Sequence, residues 1–173
     1  MLRLLSKIHD LPVIPQTVGS PAGTIADYVL DPATGKIVAY ELAGRQQARF
    51  FSCVDVLRYF DDGILISDPS VLQPVDELMR VQKLLQPRVR LRKLKVVTED
   101  GDTLGKAADC LIETTGHFVA KLYVRPSLPQ RIFTENMIIP RERIVEISPK
   151  QIVVRHDSEV TAPEGAIKPK VAG

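Results

Sequence analysis

The chain has 173 residues, 45% of them hydrophobic and 25% charged, and its formal net charge at pH 7 is +2. This composition is ample for buried cores, and the charged fraction is the average of soluble proteins. No apolar run approaches the roughly 18–20 residues that span a bilayer, and the chain opens on an amphipathic stretch rather than a signal peptide. We therefore exclude a membrane-spanning protein and expect a soluble, cytoplasmic one.

The two cysteines, Cys53 and Cys110, stand in different sequence contexts. This number and arrangement exclude a disulfide framework and a cysteine-based metal cluster. Cys110 lies in the apolar stretch 107–112. We interpret both side chains as buried structural thiols.

An internal repeat relates residues 23–42 to residues 105–124. The shared pairs are Gly23/Gly105, Ala26/Ala108, Asp27/Asp109, Gly35/Gly116, Val38/Val119 and Ala39/Ala120. In this alignment the second copy is one residue shorter in the turn between Asp and Gly. A repeat of this kind predicts two copies of one structural unit. Units of roughly 70 residues are small, so we expect the copies to pack with approximate two-fold symmetry or to exchange between two chains as a homodimer.

The first copy reads as short strands separated by turns, after a mostly apolar segment at 4–14. The predicted strands lie at residues 25–30, 36–43, 49–51, 54–59 and 64–66. Asp31, Pro32 and Gly35 make a tight turn, because Asp can bond its own backbone, Pro fixes φ and Gly supplies a positive φ. The Asp-Gly pair at 62–63 predicts a second hairpin.

A short helix is predicted between the copies, at residues 74–87. The side chains at helical spacing on one side are Val75, Leu78, Met79, Gln82 and Leu85. Asp76 is the predicted N-cap, and Pro87 ends the run.

The second copy repeats the plan of the first. Its predicted strands lie at residues 91–97, 107–112, 118–124, 132–133, 137–139, 143–147 and 152–154. Many short, evenly spaced strands predict an all-β fold of two small β-barrels in tandem. The domain boundaries are 1–73 for the first barrel, 74–87 for the helical linker, 88–157 for the second barrel and 158–173 for the tail. The tail is poor in large apolar residues, and we expect it to be disordered.

These motifs resemble the PRC-barrel domain. In residues 5–67 the resemblance is carried by Gly23, Asp27, Asp31-Pro32, Thr34-Gly35, Val38-Ala39, Asp55-Val56-Leu57 and Asp61-Asp62-Gly63. Residues 91–155 match less closely, since they keep Gly105, Asp109, Thr115-Gly116 and Val119-Ala120 but have no Asp-Pro and carry Arg143-Ile144-Val145 in place of Asp55-Val56-Leu57. The fold is named after the cytoplasmic part of the photosynthetic reaction-centre H subunit, and it also forms the C-terminal half of a bacterial ribosome-maturation factor.

The resemblance implies a non-enzymatic docking or adaptor module with a protein partner. Two alternatives stay open: an RNA- or ribosome-associated maturation factor, and a peripheral membrane or photosynthetic-complex protein. Neither specific role carries over, because the chain lacks the membrane helix of the H subunit and has a second barrel in place of the ribosome factor's N-terminal domain. The repeated motif consists of turn and core positions, so it is specific for fold rather than function.

The ionisable residues form no recognisable catalytic, cofactor-binding or metal-binding set. His9, His117 and His156 are scattered, without metal-ligand spacing, and we interpret His117 as a solvated turn histidine. Asp27 and Asp109 recur in the repeat, which fits acceptors of backbone hydrogen bonds from a neighbouring turn better than paired catalytic carboxylates. We expect no enzymatic activity and no cofactor.

The net positive charge is concentrated in residues 76–95, where seven basic residues stand against two acidic ones. The basic residues are Arg80, Lys83, Arg88, Arg90, Arg92, Lys93 and Lys95. One hypothesis is a binding site for an anionic partner, which would be RNA, an acidic protein surface or anionic lipid. The other is a solvated outer face of a half-buried strand, whose charge is balanced by acids of the other copy. The sequence leaves both open.

Overall fold

The strands are short, as the frequent turn signals predict. The computed structural model describes residues 1–44, 49–86, 88–127 and 136–156. The strands of this part are β1 (Leu2–Leu4), β2 (Pro12–Pro15), β3 (Gly23–Asp31), β4 (Lys36–Leu42), β5 (Arg49–Ser52), β6 (Val56–Phe60), β7 (Gly63–Ile66), β8 (Lys95–Thr98), β9 (Thr103–Glu113), β10 (Phe118–Pro126), β11 (Met137–Pro140), β12 (Ile144–Ile147) and β13 (Gln151–Val154), and the α-helix is α1 (Met79–Leu84). The predicted strand at 132–133 and the predicted disordered tail at 158–173 lie outside the described residues.

The fold is mostly β, as predicted, but the strands form one open ladder. Their order is β12-β13-β8-β9-β10-β4-β3-β2-β7-β6, with β1 added beside β9, β5 beside β4 and β11 beside β10. In the described part of the chain β6 and β12 are the two ends of this order, and no pairing joins them to close a ring. The prediction of two closed barrels is therefore not confirmed.

The repeat in sequence is also a repeat in strand pairing. In the first copy β3 pairs antiparallel with β2 and β4, β4 with β5, and β6 with β7, while β2 and β7 run parallel. Strands β8 to β13 reproduce each of these pairings in the second copy, including the parallel pair of β8 and β13. Two segments of different sequence thus follow one topology.

The β3–β4 and β9–β10 hairpins match without a gap. Each partner pair of the first hairpin recurs 82 positions later, so that Leu30↔Ile37 corresponds to Ile112↔Val119. The one-residue deletion that the sequence alignment places in this turn is therefore wrong. Gly35 corresponds to His117, and the two residues have φ values of 67° and 55°. The second turn keeps its length because a histidine adopts the left-handed conformation that glycine favours.

The repeated Ala-Asp pair forms the same β-bulge in each copy. Ala26 and Ala108 are extra residues that have no partner across their hairpins. The next residue then accepts a bond from the following backbone N–H, with Asp27 Oδ1 and Asp109 Oδ1 each 2.9 Å from that nitrogen. A bulge bends its strand and turns side chains in a new direction. The two aspartates are therefore conformational residues. Asp109 also accepts a bond from a turn, as predicted, since Ser6 N donates to it over 3.2 Å, whereas Asp27 accepts the Arg90 side chain instead.

A turn segment precedes the first antiparallel strand of each copy. We call residues 5–11 the first arm and residues 88–94 the second arm. Asp10 and Lys93 occupy the same left-handed position in them, with φ of 65° and 73°, and their nitrogens donate to Ile25 O and Ala107 O over 2.9 and 2.7 Å. The predicted strand 91–97 consequently begins only at Lys95. The part of the basic segment that follows Pro87 therefore belongs to the repeat, whereas α1 connects the copies.

The linker helix is shorter than predicted and is not capped by Asp76. This residue lies in a 3-10 turn, Val75–Glu77, and the helix starts after Leu78, whose side chain makes no capping bond. Val75, Leu78 and Leu85 of the predicted face pack against a buried cluster of the first copy, as expected. Met79 and Gln82 are exposed instead, and Val81, which was not predicted, is the buried residue of the helix. The predicted end at Pro87 lies outside the described residues.

The two copies contact each other at their hairpin turns and through the N-terminus. Phe118 pairs with Lys36, and Ile37 N donates to His117 O over 2.7 Å. Strand β1 pairs with β9 of the second copy rather than with its own copy. A single buried cluster runs through both copies, and it includes the thiols Cys53 and Cys110, which are buried as predicted.

Candidate functional site

The structure distributes the seven predicted basic site residues over three elements. Arg80 and Lys83 lie on α1, the residues from Arg88 to Lys93 belong to the second arm, and Lys95 begins β8. They do not converge on one surface by side-chain contact. Three of the arginines instead contact acids of the first copy.

Arg88 makes the most hydrogen bonds of the set. Its Nε and Nη2 donate to Tyr28 O over 3.1 and 2.9 Å, and its Nη1 donates to Glu41 over 2.6 Å. Nη2 also lies 3.5 Å from Asp27 Oδ2, and the side chain is only 16% exposed. Arg88 therefore joins the second arm to β3 and β4, and its charge is compensated within the protein.

Arg90 and Arg80 also pair with acids of the first copy. Arg90 contacts Asp27 Oδ2 through Nε and Nη2, at 3.0 and 2.8 Å. This hydrogen bond raises the pKa of Arg90 above its usual value. Arg80 Nη2 lies 3.1 Å from Asp31 Oδ2. For Arg90 and Arg80 the structure therefore favours the second hypothesis from sequence, in which acids of the other copy balance the positive charge.

The remaining cations carry no ion pair within the described residues. Arg92 donates through Nε to Ala108 O over 3.2 Å, and its terminal nitrogens take part in no hydrogen bond there. Lys83, Lys93 and Lys95 are exposed. The charge that is available to a partner is therefore divided among α1, the second arm and the start of β8.

A cleft of about 370 Å³ lies between the two arms. Its apolar lining consists of Leu5, Ile8, Ile25, Ala26 and Tyr40. Its basic residues are Arg90, Arg92 and Lys93. The first arm and β3 add the polar groups Ser6, His9, Asp27 and Tyr28. Sequence reasoning did not find this cleft, because its two sides come from segments that are more than eighty positions apart.

Hydrogen bonds from both copies hold the cleft residues in place. Ser6 N donates to Asp109 Oδ1 over 3.2 Å, which fixes the first arm on β9. Leu91 N donates to the Tyr28 hydroxyl over 2.8 Å, which fixes the second arm on β3. Burial raises the pKa of Tyr28 well above its usual value, so its hydroxyl stays protonated at neutral pH.

A buried hydrogen-bonded chain runs from the floor of the cleft to the second hairpin. The Tyr59 hydroxyl donates to the Tyr40 hydroxyl over 3.1 Å and lies 3.1 Å from His117 Nδ1. Burial lowers the pKa of His117 and raises those of Tyr40 and Tyr59. The interpretation of His117 as a solvated turn histidine was wrong, because the residue is half-buried and bonded to the first copy.

The described residues contain no group of three or more His, Cys, Asp or Glu side chains that could hold a metal ion. Within the same part of the chain, no helix has the length and apolar character needed to cross a membrane. Burial also raises the pKa of both thiols, Cys53 and Cys110, well above the usual range. Neither thiol is therefore activated as a nucleophile.

Comparison of the chain with models of known protein families gave no match, and no curated protein matched it either. The resemblance to the PRC-barrel family stays a prediction that rests on the motifs. The function therefore has to be inferred from the geometry and chemistry of the surface.

Proposed function

We propose that the protein is a non-enzymatic docking module that binds an extended segment of a partner protein along the outer edge of β6. One observation carries this proposal. Strand β6 ends the strand order, and it and the turn before it expose Val54, Leu57 and Phe60 to 86%, 52% and 39%.

An edge strand with exposed apolar side chains is suited to protein binding. Among the described residues no strand pairs with its outer edge, so an extended segment can add to the sheet there. The apolar side chains then supply burial and the main chain supplies hydrogen bonds. Proteins usually blunt such edges with charge, proline or a bulge. β6 carries one charge, Arg58, which lies over the Phe60 ring with Cζ 5.8 Å from its centroid, and its register shifts between Val56 and Arg58, so that Leu57 lies on a bulge.

The second copy provides an internal contrast. At its positions equivalent to Val54 and Phe60 it has Glu142 and Ser148, and only Val145 matches Leu57 as an exposed apolar residue. The apolar edge is therefore a property of the first copy and is not required by the fold. A surface feature that the fold does not require is the part of a repeat that best indicates function.

A matched pair of variants tests the proposal. The tagged full chain is used to isolate partners from its source cells, and a recovered partner is then purified and titrated by calorimetry. Leu57→Lys places a charge at the edge, and we expect it to weaken binding at least about tenfold, because about 1.4 kcal/mol of apolar contact and desolvation is lost. Val145→Lys makes the same change at the equivalent position of β12 and should leave the affinity unchanged.

Equal affinities of the two variants would contradict docking on β6. Failure to recover any stable partner, together with turnover of a small molecule by the purified chain, would remove the docking proposal altogether. Sedimentation of the wild type is a further measurement. Self-association that Leu57→Lys abolishes would identify the partner as a second copy of the chain, which is the homodimer expected from sequence.

An RNA- or ribosome-associated role has weaker support. It depends on the basic segment, in which Arg80, Arg88 and Arg90 are already paired with acids. Each cation that is neutralised internally releases fewer counterions from a bound nucleic acid, so the expected salt dependence is reduced. A peripheral membrane role relies on the same charges.

A further inference from the structure

We propose that the cleft between the two arms binds a small amphipathic anion, a molecule with an apolar body and a single carboxylate or phosphate head. This site is separate from the docking edge, because its lining contains no residue of β6 or of the turn before it. It would give the protein a ligand in addition to a partner.

The size and floor of the cleft suit the apolar body. Its volume of about 370 Å³ lies in the range of roughly 300–1,000 Å³ that is typical of small-molecule sites. Leu5, Ile8, Ile25 and Tyr40 line the cleft from the first arm and from strands β3 and β4, and their side chains are 0–4% exposed. An alkyl or aryl group placed there would cover the small apolar area that water still reaches on this floor.

The electrostatics of the cleft suit an anionic head. Three cations line it, and Asp27 is the carboxylate among its described lining residues. That carboxylate is already occupied, because Arg90 bonds it and Arg88 lies 3.5 Å away. The cleft therefore retains an excess of positive charge that its own residues do not neutralise.

Arg92 is the residue best placed to bind the head. Its bond from Nε to Ala108 O holds the guanidinium at the cleft, and its terminal nitrogens have no partner among the described residues. Two parallel N–H donors on a fixed plane match a carboxylate or a phosphate. Because the side chain is already held by the second copy, little of its freedom is lost on binding.

Tyr28 also lines the cleft and supplies a neutral donor. Its hydroxyl oxygen accepts the bond from Leu91 N, so its own proton stays available for a ligand oxygen. A hydroxyl donor and a guanidinium together orient a head group, whereas the apolar floor tolerates different bodies. This combination of a few placed polar groups on an apolar lining is typical of ligand sites.

Calorimetric titration of the full chain tests the site with four probes. Octanoate and monooctyl phosphate, both below their micellar concentrations, carry the proposed body and head, while inorganic phosphate lacks the body and octanol lacks the head. We expect at least one of the two amphipathic anions to bind more than about tenfold tighter than either half-probe. The tighter of the two assigns the head as carboxylate or phosphate. Binding of inorganic phosphate or octanol as tight as that of the amphiphiles, or no binding of any probe, would overturn the proposal.

Variants locate the binding. Arg92→Gln removes a charge-assisted bond and should weaken the best probe about tenfold or more. Ala26→Leu fills the cleft beside the bulge and should also weaken binding of the best probe. If the bulge does not tolerate leucine, Ser6→Leu fills the cleft from the first arm and takes its place in the test. Lys95→Gln makes the same charge change outside the lining and should leave affinity unchanged. Thermal unfolding of each variant checks that it is folded, and equal losses in Arg92→Gln and Lys95→Gln would show non-specific charge attraction and refute the site.

Discussion

The first and second arms share a backbone path in their second halves, but their first halves differ, since Leu5–Lys7 is a 3-10 turn and residues 88–90 are not helical. Several of their side chains also differ in chemistry. At the repeat positions of Leu5, His9 and Asp10 in the first arm, the second arm has Arg88, Arg92 and Lys93. Leu5 of the first arm is buried, and Arg88 at the equivalent position of the second arm is paired with acids of the first copy. A duplicated segment can therefore keep its place in the fold while one copy replaces an apolar contact with an ionic one.

The replacement depends on compensating changes in the strands that the arms contact. Glu41 accepts the Arg88 guanidinium in the first copy, whereas the second copy has Tyr123 at the position of Glu41. Asp27 and Asp109 are the same in both. The ionic contact therefore needs two acids, and only one of the two copies provides them.

The largest expected effect comes from making the arms alike. Leu5→Arg buries a guanidinium against a copy that has Asp109 but no second acid, and we expect it to lower the free energy of unfolding by about 4 kcal/mol. Urea denaturation of the full chain measures this. The reciprocal variant Arg88→Leu keeps an apolar side chain at the position and should cost less, about 2 kcal/mol, mainly because its acids are left unpaired. A smaller loss for Leu5→Arg than for Arg88→Leu would contradict this account.

A second, smaller effect is expected in the hydrogen-bonded tyrosines. Tyr40 and Tyr59 of the first copy correspond to Leu122 and Ile147 of the second, so one copy has a buried polar pair where the other has an apolar one. Tyr59→Phe leaves the Tyr40 hydroxyl buried without its partner and should cost about 2 kcal/mol.

A double-mutant cycle sharpens this comparison. Tyr40→Phe combined with Tyr59→Phe removes both partners and should be less destabilising than the sum of the single variants, since no buried hydroxyl is then left unpaired. Strict additivity in urea would mean that the two hydroxyls do not interact.

The smallest effect concerns pH and separates the two hairpin turns. Burial lowers the pKa of His117, so the unfolded chain binds the proton more readily, and stability should fall as pH drops below the ordinary histidine value of about 6.5. The backbone N–H groups of Gly116 and Thr115 lower the pKa of Glu113 to about 2. Glu113 therefore stays ionised over the pH range in which histidine titrates. The first turn has Gly35 at the equivalent position and contributes no such dependence.

Urea midpoints at roughly pH 7.5 and 5.5 measure the change. His117→Asn keeps a residue that tolerates the left-handed conformation and removes the titrating ring, so its midpoints should differ less than those of the wild type. His156→Asn is the control on an exposed histidine. A wild type and a His117→Asn variant with the same pH dependence would show that the ring is not responsible.

The sequence predicted those features of the fold that local patterns determine. The hairpin at Asp31 to Gly35 and the Asp-Gly turn at Gly63 form where the turn residues stand. The prediction that Asp27 and Asp109 accept backbone bonds was also correct, although only Asp109 accepts one from a neighbouring turn. The bulge at which both lie was not predicted. His117 was misjudged, since a non-glycine residue in the left-handed region is uncommon, and the alignment shifted by one position to match Gly116 instead.

The candidate site could not be predicted in the same way. The sequence does not show which basic residues pair with acids. Arg88, for example, pairs with Glu41, which lies 47 positions away in sequence. The open ladder was missed for a related reason, because strand signals predict the strands and not which edges pair. The cleft requires two arms to face each other, which only the packing of the copies produces.

Strand β1 makes the two copies inseparable at the linker. It precedes the first copy in sequence but pairs with residues 111–113 of β9 in the second copy. Contacts so distant in sequence slow folding, because the entropy of closing a long loop is lost before the contact forms. Cutting the chain at the linker would therefore remove a strand from the sheet of the second copy.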